Sequence, residues 1–128
     1  CNIPEPLQLG LSMPAVSAPF PFKKMINFFK TLLTYLEHNK NNNYTKLASN
    51  YSLLAESYNQ LKNRKKALKL LDSALYFAKK DKNLGQEGFA FIKKANIYTY
   101  KKQYQQAQKM LDAAIKIYQN ADAKEIII

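Results

Sequence analysis

Residues able to carry out catalysis are few and scattered along this 128-residue chain. His38 is the single histidine and Cys1 the single cysteine, so no Cys/His set has the spacing of a zinc site. The nine acidic residues form no close pair that could act as general acid and general base. Gly10, Gly85 and Gly88 form no phosphate-binding loop. We therefore predict that the protein is not an enzyme and that it holds neither a metal nor another cofactor.

The chain is strongly basic, with a net charge of +11 at neutral pH. Such a charge can attract nucleic acid, acidic proteins or an anionic membrane surface. Arg64 is nevertheless the only arginine among the 20 basic residues, and arginine is the residue best suited to recognise bases and phosphates. We interpret the lysines mainly as a solvated surface and keep nonspecific nucleic-acid binding as an unlikely alternative.

The first 21 residues differ in composition from the rest of the chain. They contain all five prolines and only one charged residue, Glu5. Proline at this density prevents helix formation and favours an extended, semi-rigid chain. We predict that residues 1–21 form an extended Pro-rich tether outside the folded domain, able to lie along a partner's groove.

A cysteine at position 1, a Pro-rich spacer and then a folded domain resemble the arrangement of a mature bacterial lipoprotein. The resemblance implies lipidation of Cys1, membrane attachment, and a place in the bacterial cell envelope, outer-membrane-anchored and periplasmic or surface-exposed. The alternative is a cytoplasmic protein in which Cys1 is a surface thiol. No stretch approaches the roughly 18 apolar residues of a membrane-spanning helix.

The remaining chain repeats itself with a period of 40 residues. Each unit has apolar residues at the spacing of two successive helices, with Asn43 and Asn83 as potential N-caps. We expect helix hairpins over residues 43–80 and 83–120. Asp72 and Asp112 also recur, and we expect them to face solvent beside Lys69 and Lys109. The retained small, aromatic and aliphatic positions are Ala55/Ala95, Tyr58/Tyr98, Ala67/Ala107, Leu71/Leu111 and Ala74/Ala114.

These positions resemble the motif of the tetratricopeptide repeat (TPR) family over residues 43–120. The family's usual period is 34 residues, so this chain resembles its longer-period members. Tyr51 and Phe91 stand where the family often has tryptophan, and its closing proline is absent. The resemblance implies an all-α fold of antiparallel helix hairpins, stacked as a short solenoid. A generic helical bundle is the alternative.

An additional helix is predicted at residues 22–40. Its Met25, Phe29 and Leu32 align with Ala67, Leu71 and Ala74 of the first hairpin. We interpret it as the second helix of a degenerate earlier repeat, which caps the array or binds the tether. Residues 121–128 are predicted to form an apolar C-terminal tail.

The TPR resemblance also implies a partner-binding groove, lined by the first helix of each hairpin. The expected ligand is a protein or peptide, although Phe89 and Ile92 could instead belong to the core. An acidic C-terminus is not expected as ligand, because Ser52 and Glu56 replace the lysine and asparagine that some relatives use. The predicted groove residues are Ser49, Ser52, Glu56, Asn59 and Gln60 from the first unit and Phe89, Ile92, Asn96, Thr99 and Tyr100 from the second.

Both ends of the array carry apolar residues that we expect to be exposed, and contiguous exposed apolar surface marks an interface. We therefore predict a homodimer or a larger assembly that docks through these ends. The residues concerned are Phe28, Phe29, Leu32 and Leu36 at one end and Ile115, Ile117, Tyr118, Ile126, Ile127 and Ile128 at the other.

Together these features predict a non-catalytic protein–protein interaction scaffold, membrane-anchored as a lipoprotein component of a larger bacterial assembly. One alternative is the sensor or input portion of a longer signalling or regulatory protein. A second is a basic protein that binds nucleic acid nonspecifically.

Overall fold

The computed structural model describes residues 20–39 and 43–125, with side chains described as far as residue 121. Within this part the chain forms five helices and no strand, and the helices pack in neighbouring pairs. The prediction of an all-α helical repeat is therefore confirmed. The helices are α1 (Phe22–His38), α2 (Tyr44–Gln60), α3 (Arg64–Lys80), α4 (Leu84–Tyr100) and α5 (Tyr104–Glu125).

The two hairpins predicted from the 40-residue period coincide with α2–α3 and α4–α5. The α5 helix continues to Glu125, beyond the predicted boundary at residue 120. Three-residue connections separate α2 from α3, α3 from α4 and α4 from α5, and connections this short impose antiparallel packing on neighbouring helices. Residues 1–19 of the tether predicted over 1–21, and the isoleucines at 126–128, lie outside the described residues.

The three short connections share one backbone geometry. Lys62, Lys82 and Lys102 have positive φ angles of 66°, 52° and 62°, in the left-handed region that glycine tolerates best. After α3, the N–H of Lys82 donates to the Lys79 carbonyl at 3.0 Å and the N–H of Asn83 donates to the Ala78 carbonyl at 2.9 Å. This pattern satisfies the last carbonyls of a helix and turns the chain sharply.

Asparagine side chains cap the helices that follow two of these turns. Asn63 Oδ1 accepts from the Lys66 N–H at 3.4 Å, and Asn83 Oδ1 accepts from the Gln86 N–H at 3.0 Å. Each satisfies one of the free N–H groups of a first helical turn. Asn43, also expected to cap, instead donates its amide to the carbonyl of Asn39.

The core lies where the helices of successive hairpins meet. Four of the six residues in its buried cluster are at positions that the repeat retains, and four are alanines, whose small side chains let helix backbones approach closely. Tyr51 and Tyr58 pack against this cluster and are partly buried. The cluster members are Ala55, Ala67, Leu71, Ala74, Ala90 and Ile97.

The α1 helix packs on α2 and extends the array by one helix. It buries Ile26 and Leu36, and the Tyr51 hydroxyl of α2 donates to Glu37 Oε2 of α1 at 3.0 Å. None of the helices in the described part of the chain combines the length and apolar character needed to cross a bilayer.

Candidate interaction surfaces

An open apolar groove runs between α1 and α2, with a volume of about 230 Å³. This is below the roughly 300–1,000 Å³ of small-molecule pockets, so the groove suits one or two side chains of a docked segment. Phe28, next to the groove on α1, and Leu53, in its α2 wall, are 62% and 43% exposed. We call it the α1–α2 groove; its lining residues are Phe29, Leu32, Leu36, Lys46, Ser49, Asn50 and Leu53.

Asn50 lines this groove as a buried polar residue. Only 2% of it is exposed, and its Nδ2 donates to the Phe29 carbonyl of α1 at 3.0 Å. Its Oδ1 accepts no hydrogen bond from any described residue. A buried acceptor without a donor costs about 1–3 kcal/mol, and because this oxygen is closed to solvent, a segment lying in the open groove does not reach it.

The internal repeat carries one signal for Asn50. The equivalent residue of the second repeat, 40 positions later, is Ala90, which is fully buried. An asparagine at a position where the other repeat buries alanine is a departure from the repeat pattern, and buried polar side chains normally have a specific partner.

Two residues of the predicted partner face are not at the surface. Ser52 and Asn59 are 0% and 3% exposed, so their assignment to an open groove was wrong. The physical reason is that α2 is the most enclosed helix, with α1, α3 and α4 all packed against it. The exposed residue of α2 next to Ser52 is Leu53 instead.

Glu56 is tied to the neighbouring helix. Its Oε1 lies 3.3 Å from Lys93 Nζ of α4, and its Oε2 accepts from Gln60 Nε2 at 2.8 Å. These contacts join the first helices of the two hairpins along one face. Glu56 therefore has a structural partner already, and Ser49, two turns earlier in α2, lines the α1–α2 groove.

The predicted residues of α4 fall into two groups. Phe89 and Ile92 are half-buried, and Lys93 Nζ lies 5.1 Å from the centre of the Phe89 ring. Asn96, Thr99 and Tyr100 are exposed, although the Thr99 hydroxyl donates to its own helix at the Ala95 carbonyl. The structure thus brings these residues onto one helix, and their contact with a partner stays a prediction.

One residue of the predicted apolar ends is buried instead of exposed. Leu36 is only 4% exposed, because α2 covers it, so its assignment to an exposed end was wrong. Phe29 and Leu32 are half-buried, as is Ile117 at the other end. Predictions for Cys1 and for Ile126, Ile127 and Ile128 concern residues outside the described part of the chain.

The exposed apolar residues of α5 form a continuous line along the helix. Tyr104, Leu111, Ile115 and Tyr118 are 62%, 40%, 52% and 37% exposed. Together with Gln108 they recur at intervals of three and four residues, which places them on one helix face. We call this set of five residues the α5 stripe.

Asp72 and Asp112 are exposed, as predicted, but their partners differ from those predicted. Asp72 Oδ1 lies 2.7 Å from Lys94 Nζ of α4, and not beside Lys69 of its own helix as expected. Asp112 Oδ1 accepts from Gln108 Nε2 at 2.9 Å. The Asp72–Lys94 pair links the first hairpin to the second.

Titratable chemistry in the described residues is limited. Among them no group of three His, Cys, Asp or Glu side chains is arranged to hold a metal ion. Burial, and then the hydrogen bond and charge of Glu37, raise the pKa of Tyr51 to about 12. This makes the Tyr51 hydroxyl harder to ionise and suits a structural contact. His38 is exposed at the end of α1, with Nδ1 3.0 Å from the Thr34 carbonyl.

No protein-family model, curated protein sequence or solved structure matches this chain.

Proposed function

We propose that this chain is a non-catalytic protein–protein interaction scaffold whose primary binding site is the α1–α2 groove. The observation that supports this most is the apolar lining of the groove, with Leu53 43% exposed in its α2 wall. Apolar walls seat side chains of a partner. The exposed Leu53 then contributes contact area at the edge.

The finer form of the proposal is a lipoprotein component of a bacterial envelope assembly. It is supported by the order of the segments, with Cys1 followed by a Pro-rich spacer and then the helical repeats. An acyl chain on Cys1 would contribute about 0.8 kcal/mol of membrane affinity for each buried CH₂ group. Mass spectrometry of the protein from its native membrane tests this form, and an unmodified Cys1 would contradict it.

The two alternatives keep the same folded domain. As an input portion of a longer signalling protein, the repeats would still bind through the α1–α2 groove. Nonspecific nucleic-acid binding would instead depend on the lysines, and its affinity would fall steeply with salt. A titration against DNA and RNA at low salt that shows no binding would remove the second alternative.

Site-specific photo-crosslinking tests the scaffold function. A benzoylphenylalanine residue replaces Leu53 in the groove, and a matched control carries it at Lys69, an exposed residue of α3 outside the groove. We expect Leu53 to yield a discrete crosslinked protein in the native cell that Lys69 does not yield. That protein, once purified, should bind the wild-type chain directly. Identical crosslinking patterns at the two positions would overturn the proposal.

A further inference from the structure

Comparison of the two repeats shows that one face of α5 is exposed, whereas the equivalent face of α3 is covered by another helix. Shifted by 40 residues, the α5 stripe falls on five residues of α3 that are all partly or fully buried. Leu71 is 0% exposed whereas Leu111 is 40% exposed, and Leu75 is partly buried whereas Ile115 is 52% exposed. The five counterparts are Arg64, Leu68, Leu71, Leu75 and Ala78.

The α4 helix packs against α3 and supplies specific partners along that side. Ala90 and Ile97 of α4 belong to the same buried cluster as Leu71. Between them in the sequence, Lys94 Nζ pairs with Asp72 Oδ1 at 2.7 Å. Residues 90, 94 and 97 have the spacing i, i+4 and i+7, so they form one face of α4.

Asp112 lies next to the α5 stripe in the sequence, as Asp72 lies next to the equivalent residues of α3. It is the counterpart of Asp72, one residue after Leu111 as Asp72 is one residue after Leu71. Among the described residues no lysine pairs with Asp112, which bonds only within its own helix to Gln108. The stripe thus repeats both the apolar and the acidic element of the face that α4 covers on α3.

We infer that the α5 stripe docks an α-helix of a partner protein that resembles α4 in its contact face. That helix carries a small residue, a basic residue four positions later and a large aliphatic residue three positions after that. The small residue allows close approach, the aliphatic residue packs on Leu111 and Ile115, and the basic residue pairs with Asp112. An amphipathic helix that docks on another protein makes its contacts through residues spaced i, i+4 and i+7.

A second copy of this chain is a poorer occupant. The described helix of this chain that carries the required small, basic and aliphatic face is α4, and Ala90 and Ile97 are already buried in the array. A symmetric pair of α5 helices would set Leu111, Ile115 and Tyr118 against each other, without small residues in the stripe. The partner helix is therefore not expected to be α4 of a second copy.

A helical peptide with the sequence of residues 83–101 serves as the probe, because this segment contains α4. A hydrocarbon staple joins positions 92 and 96, on the side away from residues 90, 94 and 97. Fluorescence anisotropy then measures its binding to the full chain. We expect saturable binding below about 1 mM, a range in which single contacts of this kind are measurable. Absence of binding at that concentration would overturn the inference.

Variants identify the surface that the peptide uses. Leu111→Lys combined with Ile115→Lys should weaken binding at least about tenfold, since it places two charges at the contact. Gln106→Lys, at an exposed position of α5 outside the stripe, is the matched control and should leave the affinity unchanged. Equal affinity of all three proteins would mean that the peptide binds elsewhere, for example by displacing α4, and would contradict the inference.

A charge exchange tests the role of Asp112 without removing apolar surface. Asp112→Lys should weaken binding about fivefold, in line with the modest strength of exposed ion pairs. A peptide carrying Lys94→Glu should reverse this order and bind the Asp112→Lys protein better than the wild type. No reversal would overturn the assigned orientation of the helix.

Sedimentation of the full chain tests whether a second copy of the chain occupies the α5 stripe. A wild-type dimer that Leu111→Lys dissociates would show that a second copy uses the stripe, and the inference would be wrong. The inference rests on the proposed interaction role but concerns a different surface. Failure of the peptide titration would leave the crosslinking from Leu53 unaffected, so the two proposals fail separately.

Discussion

The end of the Tyr118 ring occupies the space that a side chain on Gly88 would need. A Cβ built on Gly88 would lie 2.5 Å from Cζ of Tyr118. The equivalent pair in the first hairpin is Ala48 and Ala78, both fully buried. The second hairpin has therefore exchanged two alanines for one glycine and one tyrosine at the same crossing of its helices.

Gly88→Ala tests this relationship through its dependence on Tyr118. In a Tyr118→Ala background the change should raise the free energy of unfolding by about 1 kcal/mol, the usual helical advantage of alanine over glycine. With Tyr118 present the gain should be smaller or reversed, because the ring has to move. Urea unfolding of the four proteins of this double-mutant cycle measures the difference. Equal effects in both backgrounds would contradict the packing described.

Replacing Lys82 by glycine should stabilise the chain. Lys82 has a φ of 52°, and a left-handed backbone costs a residue with a side chain about 1 kcal/mol. We expect Lys82→Gly to raise the free energy of unfolding by about 0.5–1 kcal/mol. Lys69→Gly, at an exposed position inside α3, is the control and should lower it by about 1 kcal/mol. Thermal unfolding that shows destabilisation by both changes would exclude the left-handed turn.

Leu71 and Leu111 should respond unequally to the same truncation. Leu71 is 0% exposed and Leu111 is 40% exposed at equivalent positions of the repeat. Leu71→Ala should cost about 2–5 kcal/mol of unfolding free energy, because it leaves a cavity in the core. Leu111→Ala should cost less than about 1 kcal/mol, as at other surface positions. Comparable losses in chemical denaturation would show that the α5 stripe is covered in the isolated chain.

Tyr51 should make stability fall at alkaline pH. Its pKa is raised to about 12 in the folded chain, against about 10 in an unfolded one. The folded state therefore retains this proton longer, so the stabilisation is complete below pH 10 and is lost as pH rises towards 12. The stability difference between wild type and Tyr51→Phe should be constant below pH 10 and should decline above it. A difference that stays constant up to pH 12 would contradict the burial of this hydroxyl and its contact with Glu37.

The helical repeat was predictable because its signal is local and periodic. Residues such as Ala55 and Ala95 recur in register, and the apolar spacing defines one face of each helix. The hairpins follow from short connections between such helices. The all-α repeat could therefore be predicted from properties that each segment carries by itself.

The details of the surfaces were less predictable because they depend on which helices become neighbours. Ser52 and Asn59 are buried since α2 lies between three other helices. Asp72 pairs with Lys94, 22 residues away, whereas sequence spacing pointed to Lys69 on the same helix. Asn50 was overlooked because its signal is a departure from the repeat at the position of Ala90, and not part of the periodic pattern itself. Each of these outcomes depends on contacts between helices rather than on a helix's own pattern.

The central claim of a binding groove is tested most directly with the protein that crosslinks to position 53. The measurement is its affinity for the purified chain. Leu53→Lys should weaken that affinity at least about tenfold, because a charge replaces an apolar contact in the groove. Lys69→Glu, outside the groove, should change it by less than about twofold. Equal affinity of the captured protein for wild type and Leu53→Lys would contradict the account.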